Sequence, residues 1–180
     1  AERARFGALW GTALPREPGY NVVEMIEAAG RGEIRCLWIT GYDVLPTLPN
    51  RKLTREALAR VETVIVQDIF INETAREFAT IFLPAASVFE QDGTFMNSER
   101  RIQRVNAVIE PLPGTRPDGQ IVVEIMNRMG YTQAEYHPKT MLEEISRIVP
   151  FFKGVKWDDL GDDGKQWPVG EDGKGTDILH

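Results

Sequence analysis

Three short apolar runs, each rich in β-branched residues, alternate along this chain with segments of helical periodicity. The runs are residues 34–40 (IRCLWIT), 63–66 (TVIV) and 80–83 (TIFL). Strands that alternate with short helical crossovers pair in parallel, and helices cover the resulting sheet. We therefore expect an α/β fold, a three-layer sandwich with a mainly parallel, doubly wound sheet. Because parallel sheets are covered on both faces, the first run is expected to be buried on both sides.

The segments around these runs predict helices with identifiable ends. Residues 21–30 (NVVEMIEAAG) have one apolar face and stop at Gly30 and Gly32, which favour the end of a helix. Thr54 is a candidate N-cap for a helix over residues 54–60, since a threonine hydroxyl can accept from the free N–H groups of a first turn.

Three further helices are expected downstream. Asn72 or Thr74 can cap the first of them. The second lies after Arg116 and ends at Gly130, and the third begins at Pro138, which is favoured in a first turn. The predicted apolar stripes are Ile121, Val122, Ile125, Met126 and Met129 in the second helix, and Met141, Leu142, Ile145 and Ile148 in the third.

The composition indicates one ordinary folded domain followed by an irregular tail. The chain has 180 residues, of which 42% are hydrophobic, so a single core is expected. We expect this domain to cover residues 1–150. Residues 151–180 are expected to form a tail or the start of a following domain, because six glycines occur there without an apolar period.

The charge and the cysteine count exclude several classes of partner and site. A net charge of −6 argues against nucleic acid, and no apolar run approaches the roughly 20 residues of a membrane span. Cys36 is the single cysteine, which excludes an internal disulfide and a cysteine-based cluster made by this chain alone. Within its apolar run we interpret it as a small buried thiol. The start of the chain lacks a secretory pattern, and the expected location is the cytoplasm.

Gln67 and Asp68 follow directly after the second run. The carboxyl ends of parallel strands open onto the crevice where ligands bind. A carboxylate there can accept two hydrogen bonds from the N1–H and exocyclic amine of a guanine, or from a ribose diol. The alternative is an aspartate that caps a turn or a helix.

A polar loop over residues 90–97 (EQDGTFMN) follows the third run. Its glycine permits backbone conformations closed to other residues, and Thr94 and Asn97 offer neutral groups suited to the edge of a pterin or nucleotide. The alternative is a hairpin turn, which an Asp-Gly pair often makes. Arg100 and Arg101 have the geometry to pair with a pyrophosphate, and the alternative for them is a structural salt-bridge cluster.

The signatures of several common sites are missing from the sequence. No G-x-G-x-x-G or P-loop pattern occurs, so an ordinary NAD or ATP site is not supported. His137 and His180 are the only histidines, and neither has the partners of a catalytic triad or metal centre. No catalytic residue and no metal ligand is assigned to this chain.

Several motifs together resemble the large subunit of molybdopterin bis(guanine dinucleotide) oxidoreductases, and most closely the formate dehydrogenase α subunit. They are V-x-V-Q-D at residues 64–68, L-P-A at 83–85, E-x-D-G-T-x-x-N-x-E-R-R-x-Q at 90–103 and P-G-T-R-P-D at 113–118. The resemblance extends over nearly the whole chain, with the middle block the most specific part.

The resemblance implies that this chain is the third of four domains, a dinucleotide-binding-like α/β domain that holds one of two molybdopterin guanine dinucleotides. By position in the family's motifs, Gln67 and Asp68 would contact the guanosine end. Asp43, Gln91 and Asp118 would make further cofactor contacts. We expect the polar groups of all five to converge at one end of the sheet.

The chain departs from the family's pattern at Tyr42, where a glutamate is usual, and at Gly119, where a tryptophan often occurs. The family's molybdenum ligand, its catalytic histidine and arginine, and its iron–sulfur cysteines have no matching segment here. The resemblance therefore implies cofactor holding within the oxidation of formate to CO2, with electrons passed to iron–sulfur clusters.

The expected partners are the remaining domains of the same enzyme and electron-transfer subunits, and the fragment alone is expected to be inactive. One alternative is a domain of another molybdopterin oxidoreductase, such as a nitrate reductase or the large subunit of respiratory complex I. The other is a noncatalytic assembly domain that retains the fold.

Overall fold

The structure is a computed structural model that describes residues 2–178, so His180 lies outside the described residues. The chain divides into two compact units. We call Arg16–Ala86 with Pro113–Asp118 the sheet unit, and residues 2–15, 87–112 and 119–178 the hairpin unit. The expectation of a single core is wrong, because each unit buries its own cluster of apolar side chains. The domain boundary expected after residue 150 stays a prediction.

The elements follow one another in an α/β order. The helices are α1 (Glu2–Trp10), α2 (Val22–Gly30), α3 (Val44–Thr47), α4 (Arg51–Leu58), α5 (Glu73–Phe78), α6 (Asp118–Arg128) and α7 (Pro138–Ile148). The strands are β1 (Cys36–Thr40), β2 (Thr63–Asp68), β3 (Ile81–Pro84), β4 (Gly93–Met96), β5 (Arg101–Val105) and β6 (Lys165–Gln166). None of the helices within residues 2–178 has the length and apolar character needed to cross a membrane.

The sheet unit is built on a parallel sheet in the order β1-β2-β3. In the register, Trp38 of β1 lies beside Ile65 of β2, and Ile65 lies beside Ile81 of β3. The predicted α/β sandwich with a parallel sheet is confirmed. One face of the sheet, which carries Val64 and Val66, packs on residues of α2, α3, α4 and α5 and forms the core of the unit.

The prediction that the first strand is buried on both faces is wrong. Cys36 is exposed, and the side chain of Trp38 is 37% exposed. Side chains alternate between the two faces of a strand, and these two lie opposite Ile39, which belongs to the core. Ile81 of β3 lies on the same face and is 45% exposed, so this second face is covered less than the first across the sheet. The interpretation of Cys36 as a buried thiol is therefore also wrong.

The helix ends follow local capping chemistry. Asn21 caps α2 and accepts hydrogen bonds from the backbone N–H groups of Val23 and Glu24. Gly32 adopts a φ of +76° just after this helix, a conformation that glycine tolerates best. Asn72, one of the two predicted caps, is the N-cap of α5.

The N-cap predicted for α4 is wrong. The helix begins at Arg51, and Asn50 caps it by accepting from the backbone N–H of Leu53 at 3.0 Å. Thr54 lies one turn inside the helix, 1% exposed, and its hydroxyl donates to the carbonyl oxygen of Asn50. A threonine that bonds back to the preceding turn is compatible with a helix interior, so its cap propensity did not decide the start.

The stripe predicted for α6 is displaced. Ile121 and Val123 are buried, whereas Val122 is 41% and Met129 is 81% exposed. The hydrophobic residues of this helix leave several possible faces, and packing selected one of them. In α7 the expected start at Pro138 is confirmed.

The hairpin unit replaces the expected polar loop with regular structure. β4 and β5 pair antiparallel, and β5 also pairs with β6. The turn lies at residues 97–100 and not at the Asp-Gly pair, because the Asn97 side chain accepts from the backbone N–H groups of Glu99 and Arg101, both at 3.0 Å.

The tail after Pro150 supplies much of the core of this unit. It consists largely of turns, as its glycines suggest, yet four of its apolar side chains are buried. The cluster is Ile102, Leu142, Val155, Trp157, Leu160 and Val169. The glycine-rich tail therefore packs against the hairpin and α7.

Glu90 ties the segment after β5 to the turn before β4. It is 7% exposed and accepts hydrogen bonds from the backbone N–H groups of Ser87 and Leu112, each at 2.7 Å. The Ser87 side chain, followed by these two N–H groups, holds the pKa of the Glu90 carboxyl below its usual range.

We expect Leu160→Ala to lower the free energy of unfolding by about 2–5 kcal/mol, because it opens a cavity in a side chain position that is 2% exposed. Ile178→Ala, at a side chain that is 62% exposed, is the matched control and should change stability by less than about 0.5 kcal/mol. Urea denaturation measures both. Equal effects of the two substitutions would contradict a core that includes the tail.

We expect Glu90→Gln to destabilise the hairpin unit in a pH-dependent way. Since the folded pKa of Glu90 is lowered, its carboxylate contributes stability above the unfolded pKa of about 4.3. This contribution is lost as the pH falls through the lower folded pKa. Urea denaturation of both proteins should show a difference in unfolding free energy at pH about 6 that shrinks toward pH about 3. A difference that stays constant across this range would contradict the carboxylate's role.

Candidate functional site

The carboxyl ends of β1 and β2 form the candidate site of the sheet unit. β2 runs to Asp68, two residues beyond the predicted end, so Gln67 and Asp68 are part of the strand. Gly41 leaves β1 with a φ of +58°, and its N–H donates to the carbonyl oxygen of Gln67 at 2.8 Å. The chain therefore turns away from the sheet directly beside Gln67.

A distant segment brings Asp118 to this edge. Residues 113–118 run beside the end of β3, where Arg116 bridges to Ala85 and its N–H donates to the carbonyl oxygen of Pro84. Two residues later, the carboxylate of Asp118 accepts a hydrogen bond from Nε2 of Gln67 at 2.5 Å. The sheet unit thus brings together two predicted site residues that are far apart in sequence.

The amide nitrogen of Gln67 has a hydrogen-bond partner, and the amide oxygen has none among the described residues. The residue is fully buried, and its Oε1 is the buried side-chain atom without a hydrogen-bond partner among residues 2–178. A carboxylate only accepts hydrogen bonds, so the contact with Asp118 requires the Gln67 NH2 group to face it and fixes the orientation of the amide. An unpaired buried carbonyl is costly, and it is suited to receive an N–H donor.

Asp68 organises the loop after β2. Its Oδ1 accepts from the backbone N–H of Phe70 at 3.2 Å, and its Oδ2 accepts from Nδ2 of Asn72 at 3.0 Å. The interpretation of Asp68 as a turn cap therefore describes real contacts. An ionised carboxylate has about four lone-pair sites, so these two bonds leave capacity for further donors.

Asp43 holds the start of α5. Its carboxylate accepts from the backbone N–H groups of Glu73 and Thr74 at 3.1 and 3.0 Å, and from the Thr74 hydroxyl at 2.5 Å. The Thr74 oxygen in turn accepts from the backbone N–H of Leu45 at 3.0 Å. This cluster of Asp43, Thr74 and Leu45 N–H, which we call the Asp43 clamp, fastens the loop after β1 to the first turn of α5.

Gln91 belongs to the hairpin unit, where it follows a short 3-10 turn and is half-buried. Its assignment as a cofactor contact stays a prediction, as do those of Asp43, Gln67, Asp68 and Asp118.

The two arginines beyond the loop have structural contacts within the hairpin unit. Arg100 lies over the ring of Trp167 and donates to the carbonyl oxygen of Ile178 at 2.6 Å. Arg101 donates to the carbonyl oxygen of Asp163 at 3.2 Å. They pair with the tail rather than with Glu99, so their structural role differs from the salt-bridge cluster considered from sequence.

Sequence reasoning missed the role of Thr74, which is fully buried beside Asp43. Thr74 was considered as a cap of its own helix. Its actual partner precedes it by 31 residues, and nothing local in the sequence signals that contact. Among residues 2–178 no group of three histidine, cysteine or acidic side chains is arranged to hold a metal ion.

We expect Asp43→Ala to lower the free energy of unfolding by about 1–2 kcal/mol, because it removes the acceptor for two helix N–H groups. Asp43→Asn keeps one carbonyl oxygen and should cost less. Glu56→Ala, at an exposed position of α4, is a control that should leave stability nearly unchanged. Chemical denaturation would contradict the Asp43 clamp if Asp43→Ala behaved like the control.

Comparison with known proteins assigns the family. The sequence model of the molybdopterin oxidoreductase family matches residues 2–128. "Probable oxidoreductase YjgC" of Bacillus subtilis (strain 168) is 38% identical over 178 residues, which cover 98% of this chain and 18% of that protein. A Staphylococcus aureus (strain USA300) protein named "Putative formate dehydrogenase" is 37% identical over 179 residues, again 18% of its length.

A solved structure agrees in fold. Acetylene hydratase from Pelobacter acetylenicus superposes with a TM-score of 0.61 at 16% identity, over 92% of this chain and 24% of that chain. At this identity the likeness concerns the fold alone. The chain spans less than a fifth of the length of the curated relatives named above. The family match over most of the sequence and the identity to these relatives show that the chain belongs to the molybdopterin oxidoreductase family.

Proposed function

We propose that the sheet unit holds the guanine nucleotide end of a molybdopterin guanine dinucleotide. The observation that carries this proposal is the buried Oε1 of Gln67, a carbonyl oxygen without a partner among the described residues at the carboxyl edge of a parallel sheet. Such an edge is where ligands bind in open α/β sheets. The family supports a molybdopterin cofactor.

The donor and acceptor pattern of the edge fits a guanine. Its N1–H and exocyclic amine are donors, and the edge offers the carbonyl of Gln67 together with the spare lone pairs of the Asp68 carboxylate. Asp118 fixes the Gln67 amide so that its buried oxygen is the half without a hydrogen-bond partner among the described residues. Each acceptor is therefore oriented before a ligand arrives, which lowers the cost of binding.

The other polar residues of the edge position this arrangement. Asn72 donates its amide N–H to the Asp68 carboxylate, and its amide oxygen caps α5 by accepting from the N–H of Ala75 at 2.8 Å. The Asp43 clamp holds the same helix end from the side of β1. In this proposal Asp43 acts as a positioning residue and not as a direct contact, because its described hydrogen bonds all serve α5.

We propose formate oxidation as the activity of the complete enzyme, in which formate yields CO2, one proton and two electrons. The relatives named as formate dehydrogenases support this choice. The bound molybdenum or tungsten cofactor would supply the two-electron chemistry, and iron–sulfur clusters in the remaining domains or in electron-transfer subunits would carry the electrons onward. The residues of this chain bind and orient; the proposal assigns none of them a proton-transfer step.

A second candidate is a noncatalytic domain that retains the fold for assembly. The internal hydrogen bonds of Asp43 and Asp68 favour it, because a carboxylate that caps turns and helices needs no ligand to explain it. The unpaired Oε1 of Gln67 argues against it, since a purely structural amide would be expected to have both halves paired.

We expect Asp68→Ala, in the complete enzyme, to weaken cofactor binding about 5- to 150-fold, because buried guanine donors would lose their acceptor at a cost of roughly 1–3 kcal/mol. Molybdenum or tungsten and pterin content per folded protein is the measurement. Asn72→Ala is the comparison variant: it removes a structural partner of Asp68 and the cap of α5, leaves the carboxylate in place, and so measures the contribution of the loop.

A folded and fully loaded Asp68→Ala enzyme would show that Asp68 is a turn cap alone. Equal losses of cofactor in both variants would point to the loop and not to guanine recognition. Formate-dependent reduction of an artificial electron acceptor tests the activity separately. A loaded enzyme without this activity would contradict the substrate and leave cofactor holding intact.

A further inference from the structure

A pocket of about 660 Å³ opens beside α7 in the hairpin unit. One wall is a single face of α7, where Lys139, Glu143 and Arg147 follow at helical spacing. The opposite wall is the segment that carries Lys153, Lys156 and Asp158. We call the pocket lined by these six residues the basic pocket. Its volume lies within the range of small-molecule sites.

The two walls are fixed to each other by buried contacts. The hydroxyl oxygen of Ser146, on α7, lies 2.9 Å from the carbonyl oxygen of Val155 and 2.8 Å from that of Leu142. Val155 and Trp157 are buried and line the pocket between the charged residues. The guanidinium of Arg104 lies over the Trp157 ring at 5.0 Å and adds a further positive charge nearby. The charged residues of the pocket therefore lie on a well-packed, hydrogen-bonded part of the unit.

The charge of the pocket has the opposite sign to that of the chain. Four basic and two acidic side chains line it, whereas the whole chain carries a net charge of −6. A local excess of cations on an acidic protein does not follow from its composition. A cleft with an excess of one sign of charge attracts counter-ions of the other sign.

Two of the cations are already paired and two are not. Lys139 forms an ion pair with Asp158 at 2.6 Å, and Lys153 pairs with Glu171. Within residues 2–178, the side chain of Lys156 has no hydrogen bond or ion pair, and the side chain of Arg147 uses only its Nε, which donates to the carbonyl oxygen of Glu143 at 3.3 Å. The terminal nitrogens of Arg147 and the ammonium of Lys156 are thus the donors left for a ligand.

We propose that the basic pocket binds a phosphate group, with Arg147 and Lys156 as its ligating residues. A guanidinium donates two parallel hydrogen bonds to a phosphate, and an ammonium contributes a compact point charge, so the pair suits a tetrahedral dianion. The pocket also holds the carboxylates of Glu143 and Asp158, so its four cations exceed its anions by two. The phosphate is a free ligand, such as inorganic phosphate or pyrophosphate.

The test is lysine footprinting on the full-length protein, with pyrophosphate as the probe. Acetylation of Lys156 by an amine-reactive reagent, measured by mass spectrometry, should slow about tenfold when pyrophosphate is present at ten times its Kd. Lys52, an exposed lysine of the sheet unit, is the internal control and should react at an unchanged rate. Isothermal titration calorimetry gives the Kd.

The matched variants are the double substitution Arg147→Gln with Lys156→Gln, and Lys52→Gln. The double variant should bind pyrophosphate at least about tenfold more weakly, because it loses both charged donors. Lys52→Gln should bind like the unchanged protein. Thermal unfolding of each variant shows that the fold is retained, since Arg147 and Lys156 are exposed.

Selective protection of Lys156 by added pyrophosphate supports the proposal. Equal protection of Lys156 and Lys52, equal protection by chloride at the same ionic strength, or an unchanged Kd in the double variant would each overturn the proposal.

Discussion

The parallel pairing of β2 with both of its neighbours determines where chemistry is available in the sheet unit. Because β1, β2 and β3 run in the same direction, their carboxyl ends meet at one edge. The backbone of that edge is largely satisfied by its own turns, as the contacts of Gly41 with Gln67 and of Ala85 with Asp68 show. A ligand at this edge would therefore bind mainly to side chains.

Some of those side chains form hydrogen bonds that hold the edge in place, and others keep an acceptor without a partner. Asp43 uses its described hydrogen bonds on the first turn of α5, and Asn72 links that turn to Asp68. Asp68 uses part of its capacity on the loop and retains the rest. Gln67 is the residue whose buried oxygen has no partner within residues 2–178, and Asp118 decides which of its amide atoms that is. The edge is therefore held rigidly by some of its polar groups while others keep acceptors for a ligand.

Several features of the site could be predicted because they depend on local order along the chain. The position of Gln67 and Asp68 after a strand follows from an apolar run that ends in polar residues. The cap of α5 follows from an asparagine before a helical period. Asp118 was assigned by resemblance, whereas its contact with Gln67 spans 51 residues and depends on the bridge between Ala85 and Arg116. Gly119 also depends on a contact that the local sequence does not signal, because a side chain there would overlap the ring of Tyr136.

The sequence by itself determined the α/β order, the parallel sheet and most helix starts, because strand runs and capping residues act over a few neighbours. Tertiary structure alone decided which faces are buried. It left Cys36 exposed at an edge strand, selected Ile121 and Val123 on α6, and drew Trp157 of the glycine-rich tail into a second core. These outcomes depend on contacts between residues distant in the chain, and no local pattern specifies which apolar surfaces will meet.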